Sequence, residues 1–389
     1  MNNTGGYFDY NATTPLSEGV KSAMIEAMEQ FENPSAIYAA PDGPKALLTR
    51  AREEVAALIG AEPEQIFFTS GATESNNWIL RSILEDASTK GAFVTSAIEH
   101  DATLASGRAI CKQQNRDMRL VAPNAECIIE ATSVREACQN NVSLLSVMLA
   151  NNETGAVQPI VQIAEVARQI GSFFHVDAVQ AAGKIPINVG ELDCDSLSLS
   201  AHKFYGPKGV GVLYVRDPKK LVPMIVGGGQ EGGLRAGTEN IIGIAGMGAA
   251  AAEARTLLTL RSAHASALRE TLIVDLVNRK LPIQINGPTH LDNVIHSTLN
   301  LSFLGTRAEA LVMRLGLCDG IKVSLGSACS TNKDSRHSHV LQAMGLDEER
   351  LVGAIRISFG CFTSQEDVAR LAASLDANFN MIQSLAAAE

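Results

Sequence analysis

A basic excess is missing from this chain: 32 Lys and Arg stand against 42 Asp and Glu, a formal net charge of −10. Binding nucleic acid through a cationic face requires Lys and Arg to neutralise phosphates, so no direct nucleic-acid contact is expected. An acidic protein can still meet a basic protein partner. Paired-cysteine motifs are missing too. Cys111, Cys127, Cys138, Cys194, Cys318, Cys329 and Cys361 make an odd number, and none are spaced as C-x-x-C, which argues against the common zinc and redox sites. No metal is expected. No uncharged apolar run reaches the roughly 18 residues of a membrane-span candidate, and Met1–Tyr10 lacks the apolar centre of a secretory signal. These absences lead us to expect a cytoplasmic protein with free thiols and no membrane contact. One Trp and 13 Pro speak against disorder, and 46% apolar residues suffice for a sizeable core.

At 389 residues, two domains are expected. Gln65–Thr69, Gly91–Thr95, Ser143–Leu149, Ser172–Val176 and Ser196–Leu199 read as buried strands. Stretches with helical spacing, such as Pro159–Ile170 and one beginning near Glu74, lie between them. This alternation predicts an α/β fold with a large, mostly parallel sheet. Past the Gly-rich residues 227–246, an Ala-rich helical stretch runs from about Ile241 to Leu276. Strands at Ser297–Phe303 and Ala354–Phe359, with helices at Arg307–Leu315 and Gln365–Ile382, then suggest a smaller α+β domain. The expected division is a large domain over 15–255 and a small one built from 1–14 and 256–389. No internal repeat or low-complexity tract is visible.

Ligands of parallel α/β sheets sit beyond the carboxyl ends of the strands. Ser70-Gly71-Ala72-Thr73 follows the first strand and opens a helix, an arrangement that offers backbone N–H groups to a phosphate. A plain capped turn would look the same. Asp177, with Gln180 three residues on, follows another strand; a helix cap is the ordinary alternative there. Lys203 follows Ser200-Ala201-His202. Desolvation beside a buried strand would make its amine a usable nucleophile toward an aldehyde, although a surface loop lysine is the plainer reading. Taken together the three signals gain force. A cofactor with an aldehyde, a pyridine ring and a phosphate needs a lysine, an acid and an anion cradle.

The order and spacing of several motifs then carry a resemblance. They are Tyr7–Pro15 (YFDYNATTP), Phe67–Asn77 (FFTSGATESNN), Glu99-His100, Asn151–Gly155 (NNETG), His175–Gln180 (HVDAVQ), Ser200–Gly209 (SAHKFYGPKG), Arg235–Thr238 (RAGT), Gly326–Cys329 (GSAC) and Ile355–Ser358 (IRIS). From Phe8 to about Leu375 the chain resembles the class V aminotransferase-like enzymes that use pyridoxal 5′-phosphate (PLP), and within them the cysteine desulfurases of the NifS/IscS branch. The resemblance implies fold type I, a homodimer, L-cysteine as substrate, and transfer of its sulfur to a protein thiol with release of L-alanine. It implies Lys203 as the residue that takes up the cofactor aldehyde. Asp177 would partner the ring nitrogen. His100 would stack on the ring and move protons. Asn152 and Gln180 would bond the phenolic oxygen and the substrate region. Ala72, Thr73, Ser200 and His202 would cradle the phosphate, with Thr238 reaching across the dimer interface. Arg356 would clamp the substrate carboxylate, where a planar fork suits better than Lys. The bland alternatives are a core histidine at 100, a turn residue at 152 and a structural ion pair at 356.

Cys329 sits in a polar stretch that starts with Gly and lacks apolar periodicity, which reads as an exposed, mobile loop. Nearby Lys333, Arg336 and His337 favour its thiolate. It is the expected sulfur acceptor within the chain, ahead of delivery to an acceptor protein. The sequence departs from the family pattern at Tyr38, Pro41, Ala201 and Leu325, and in a longer stretch after Cys329. A selenocysteine lyase or another class V lyase is the alternative activity. Iron–sulfur assembly, tRNA thiolation, thiamine-type cofactors and DNA sulfur modification would all use this chemistry. The acidic charge favours a protein acceptor.

Overall fold

A computed structural model describes residues 5–36, 40, 42–325 and 337–386. Cys329, Tyr38 and Pro41 lie outside the described residues. The large sheet contains β1 (Ile66–Thr69), β2 (Ala92–Ser96), β3 (Met118–Val121), β4 (Val142–Met148), β5 (Phe173–Asp177), β6 (Ser196–Ser200) and β7 (Gly211–Val215). Its order is β1-β7-β6-β5-β4-β2-β3. Most of these strands are buried on both faces. That explains their near-continuous apolar sequences, because helices cover both sides of a parallel sheet.

β2 through β6 pair in parallel, while β7 runs antiparallel to both β6 and β1. The strands read from the sequence did not include β3 or β7. The residues between Ser200 and Gly211 are too few for a crossover helix, so the chain must reverse beside the strand it has left. That reversal carries Lys203.

A second, antiparallel sheet has the order β10-β11-β9-β8, with β8 (Ile283–Ile285), β9 (Thr298–Phe303), β10 (Ser324–Leu325) and β11 (Ala354–Ser358). It has its own core, including Leu299, Leu301, Phe303, Ile355, Ile357 and Leu375. The helix Ile241–Asn278 belongs to both cores. Ile244, Met247 and Ala251 pack under the large sheet, and Leu268, Leu272 and Leu276 pack under the small one. By length and composition alone this helix would suffice to cross a membrane, but those buried residues tie it into the protein. Gly248 meets the Cα of Ala51 so closely that an added Cβ would lie 2.6 Å away. Gly248 therefore serves close packing on the neighbouring helix Pro44–Ile59.

The N-terminal segment joins the small sheet, where Tyr7 pairs with Lys322 and Asp9 with Ser358, and then reaches the turn after β6, where the Thr14 N–H donates to the His202 carbonyl. Gly211, at the start of β7, is equally constrained. A Cβ there would fall 2.6 Å from the backbone of Gly71 and 2.8 Å from the Leu199 carbonyl. Overpacking of this kind costs about 1–3 kcal/mol. Gly211→Ala is therefore expected to lower unfolding stability by about that amount, read as a reduced urea midpoint with unchanged slope.

Candidate active site

A cavity of about 440 Å³ opens beyond the carboxyl ends of the parallel strands. Ala72, Thr73, His100, Asn152, Asp177, Gln180, Ser200, His202, Lys203 and Arg356 all line it. The structure thus brings together every site residue expected from the sequence except two. Cys329 is outside the described residues. Thr238 is exposed and lines a separate cleft that adjoins the cavity at Ser70 and Gly209.

Lys203 ends a short 3₁₀ turn after β6, and its Nζ donates to the carbonyls of Asn11 (2.7 Å) and Ala12 (2.9 Å). The turn is pinned to the N-terminal segment. Thr14 donates to the His202 carbonyl through both its N–H (2.9 Å) and its Oγ1 (3.0 Å). Burial, together with the Lys203 and Lys208 charges, lowers the His202 ring to about 4, so it is neutral near pH 7.

Asp177 closes β5. Its Oδ2 accepts from Asn76 Nδ2 (2.8 Å) and its Oδ1 from the Val179 N–H (3.0 Å). A carboxylate only accepts, so the amide oxygen of Asn76 faces the other way, 3.1 Å from His175 Nε2. His175 must donate there, which leaves its Nδ1 to accept from Ser196 Oγ at 2.8 Å. Burial lowers this ring to about 3 and keeps it neutral. The run Ser196–His175–Asn76–Asp177 is a fixed relay that holds one carboxylate in place.

The helix Ala72–Leu84 begins at Gly71 with no side-chain cap. Its first N–H groups therefore remain for a ligand. Cβ atoms built on Gly71 or Gly209, both in the cavity wall, would meet nothing within 4 Å. The space beside this helix end is open. Burial works against the charge of Glu74 in the first turn, but hydrogen bonds from Arg235 and Ser70 outweigh it and hold the carboxyl below its ordinary value. His100 caps the helix Asp101–Gln114, its Nδ1 accepting from Ala102 at 3.0 Å. A neutral ring at His100 therefore carries its proton on Nε2.

Arg356, on β11, is buried. Its guanidinium donates to Asp9 Oδ1 (2.7 Å) and to the Asn152 carbonyl (3.1 Å). The ion pair is real, yet Nε has no partner among the described residues. An anionic substrate group could use that donor. Gln180 donates to the Asn11 carbonyl (3.0 Å) and accepts from Lys184 (2.7 Å).

These residues fit PLP. An amine, a buried carboxylate and an uncapped helix end share one cavity, matching the aldehyde, ring nitrogen and phosphate of that cofactor. Sequence reasoning assigned no role to Asp9, Asn11 or Asn76, although each lay inside a quoted motif. Lys184 carried no signal at all.

The architecture is that of the fold-type I enzymes, with the candidate site at the carboxyl edge of the large α/β sheet. The pattern of the family "Aminotransferase class-V" matches residues 6–371. A cysteine desulfurase IscS of Dictyoglomus turgidum is 39% identical over 93% of this chain and 91% of its own length. A solved NifS-like protein has a TM-score of 0.89 at 35% identity, covering 96% of this chain and 99% of that one. The structure of SspA in complex with cysteine gives 0.79 at 35% identity, over 92% and 100%. The chain belongs to the class V aminotransferase family and, within it, to the cysteine desulfurases.

Glu99, next to His100, is fully buried. Its Oε1 accepts from Ser96 Oγ (2.5 Å) and from the Met148 N–H (2.8 Å). Burial pushes this carboxyl up to about 8, against an ordinary 4.5. Between these values the folded state binds the proton and the unfolded chain does not, so stability is full below about 4.5 and declines as pH rises toward about 8. Glu99→Gln removes this decline. Its denaturant midpoint is expected to fall less than that of the wild type between about pH 5 and 8.

Proposed function

We propose that this protein takes sulfur from free L-cysteine onto Cys329 as a persulfide, releases L-alanine, and passes the sulfur to an acceptor protein. The carrying observation is the convergence of Lys203, Asp177, His100 and Arg356 on one cavity in a chain of the cysteine desulfurase family. Lys203 would hold the cofactor aldehyde, Asp177 the ring nitrogen, and Ala72, Thr73, Ser200 and His202 the phosphate. When bound, PLP supplies the electron sink that acidifies the substrate Cα–H and weakens its Cβ–Sγ bond.

The chain's own groups do the rest. Arg356 orients the substrate through its carboxylate, and Asn152 borders the same space. The free Lys203 amine would take the proton from the substrate Cα. Cys329 thiolate attacks the substrate Sγ, so the S–S bond forms as the Cβ–Sγ bond breaks. The electron pair of the broken bond stays with the alanine carbon skeleton, which is then protonated; His100, in the cavity wall with its Nδ1 accepting from Ala102, would supply that proton. Burial of Asp177 and Arg356 keeps water from competing with these contacts.

The protein is further proposed to be a cytoplasmic homodimer. Thr238 is exposed, on a loop that also presents Val226 at 86% exposure. Such a surface suits a partner subunit that would complete the phosphate site with Thr238. Iron–sulfur assembly is the proposed destination of the sulfur, since a scaffold protein is an acceptor that an acidic enzyme can meet without nucleic-acid contact.

PLP-loaded protein given L-cysteine and a thiol reductant is expected to release sulfide and alanine in equal amounts. Cys329→Ala should make neither at a significant rate, and alanine formed at the normal rate without that thiol would sink the persulfide step. Lys203→Ala should lose at least about 10³-fold in turnover, within the range of removing a positioned acid–base group. Arg356→Lys should raise KM for cysteine roughly 10- to 100-fold with a smaller change in kcat, the pattern of lost substrate clamping.

A further inference from the structure

Lys203 and Lys208 line the cavity, and a third lysine, Lys184, approaches it from behind Lys203. Lys184 lies in the wall of a second, smaller cavity that Lys203 also borders. Lys184 is partly buried, and no carboxylate pairs with it among the described residues. Burial drives its pKa well below the ordinary 10.5, and the positive charges of Lys203, from the turn after β6, and Arg356, from β11, push the same way. A buried amine among cations costs stability unless its hydrogen bonds recover it.

Those hydrogen bonds go to two cavity residues. Lys184 Nζ donates to Asn11 Oδ1 (2.9 Å) and to Gln180 Oε1 (2.7 Å). Because Lys184 donates in both contacts, both amide oxygens must face it. The amide nitrogens are then aimed away. Asn11 Nδ2 reaches the Asn152 carbonyl (3.1 Å) and Thr298 Oγ1 (2.8 Å), while Gln180 Nε2 reaches the Asn11 carbonyl (3.0 Å). That same carbonyl accepts from Lys203 Nζ. Gly183 lets the chain arrive here: its φ is +70°, and a Cβ would stand 2.9 Å from Phe204, the neighbour of Lys203.

We propose that Lys184 is a positioning residue for the cofactor site. It sets the flip of the Asn11 and Gln180 amides and, through Asn11, the resting place of the Lys203 amine. It touches neither substrate nor cofactor. The proposal rests on the PLP reading above for its functional consequence, but the network itself is a property of the bare chain.

The test has two arms. In cofactor-free protein, thermal melting is measured for wild type, Lys184→Met, Gln180→Leu and the double variant. Met keeps the length of the side chain and removes the donor. The double variant is expected to melt no lower than the worse single variant, because the two residues act through one contact. Additive losses overturn the proposal. In PLP-loaded protein, Lys184→Met should weaken PLP binding roughly tenfold, the scale of a lost charge-assisted hydrogen bond. It should also shift the pH midpoint of the cofactor's visible absorption change. Lys184→Gln, which can still donate to one of the two amide oxygens, should bind PLP with an affinity between those of wild type and Met. It also carries the test if the Met variant does not fold. Unchanged affinity and midpoint in these variants overturn the positioning role. Wild-type protein that takes up no PLP would overturn the proposed function instead, while the melting cycle would still decide the network.

Discussion

The segment from Tyr7 to Thr14, held between the two sheets, is the constraint on which the site depends. Its backbone pairs with the small sheet, where the Phe8 N–H donates to the Lys322 carbonyl and the Ser358 N–H donates to the Phe8 carbonyl. A few residues later it pairs with the large one, as Thr14 meets the His202 carbonyl. Asn11 lies between. Its side chain bonds Asn152 and Thr298, its carbonyl bonds Lys203 and Gln180, and Asp9 just before it holds Arg356. Lys203 and Arg356 come from different sheets, so their separation is set by this one strip of chain.

The site's electrostatics follow from burial without exact charge pairing. Glu99 and Glu153 are both fully buried, and desolvation pushes their carboxyls up to about 8 and about 7. Ser338 Oγ donates to Glu153 Oε2 at 2.5 Å, which ties the helix that Ser338 caps to the NNETG turn. His175 is shifted downward for the same reason, with the opposite consequence: its contribution to stability is lost as pH falls from its ordinary 6.5 toward about 3. Neutral buried groups therefore surround a few charged ones. Asp177 and Arg356 keep dedicated donors and acceptors, and the low dielectric around them strengthens each contact.

Much of this was legible in the chain. Strand and helix periodicity predicted the large sheet and most of its elements within a residue or two, because a twice-buried strand must be apolar throughout. Phe67–Asn77, His175–Gln180 and Ser200–Gly209 could be read as a phosphate turn, an acid and a lysine because each follows such a strand. The antiparallel β7 was not legible. Its sequence GVLYV is as apolar as its parallel neighbours, and only the short connection from β6 decides its direction.

The sequence by itself determined the fold class and the family and named the candidate site residues, since these depend on local pattern and residue type at fixed spacing. The tertiary structure alone decided which of those residues meet. Asp9 and Arg356 are joined across |i−j| = 347, Asn76 and Asp177 across |i−j| = 101, and Asn11 and Lys184 across |i−j| = 173. No local pattern encodes such pairings, because they arise only when burial forces separated polar groups to satisfy one another. Lys184 is the clearest case: in the sequence it is a lysine after a glycine, and in the fold it donates to the side chains of Asn11 and Gln180 beside Lys203.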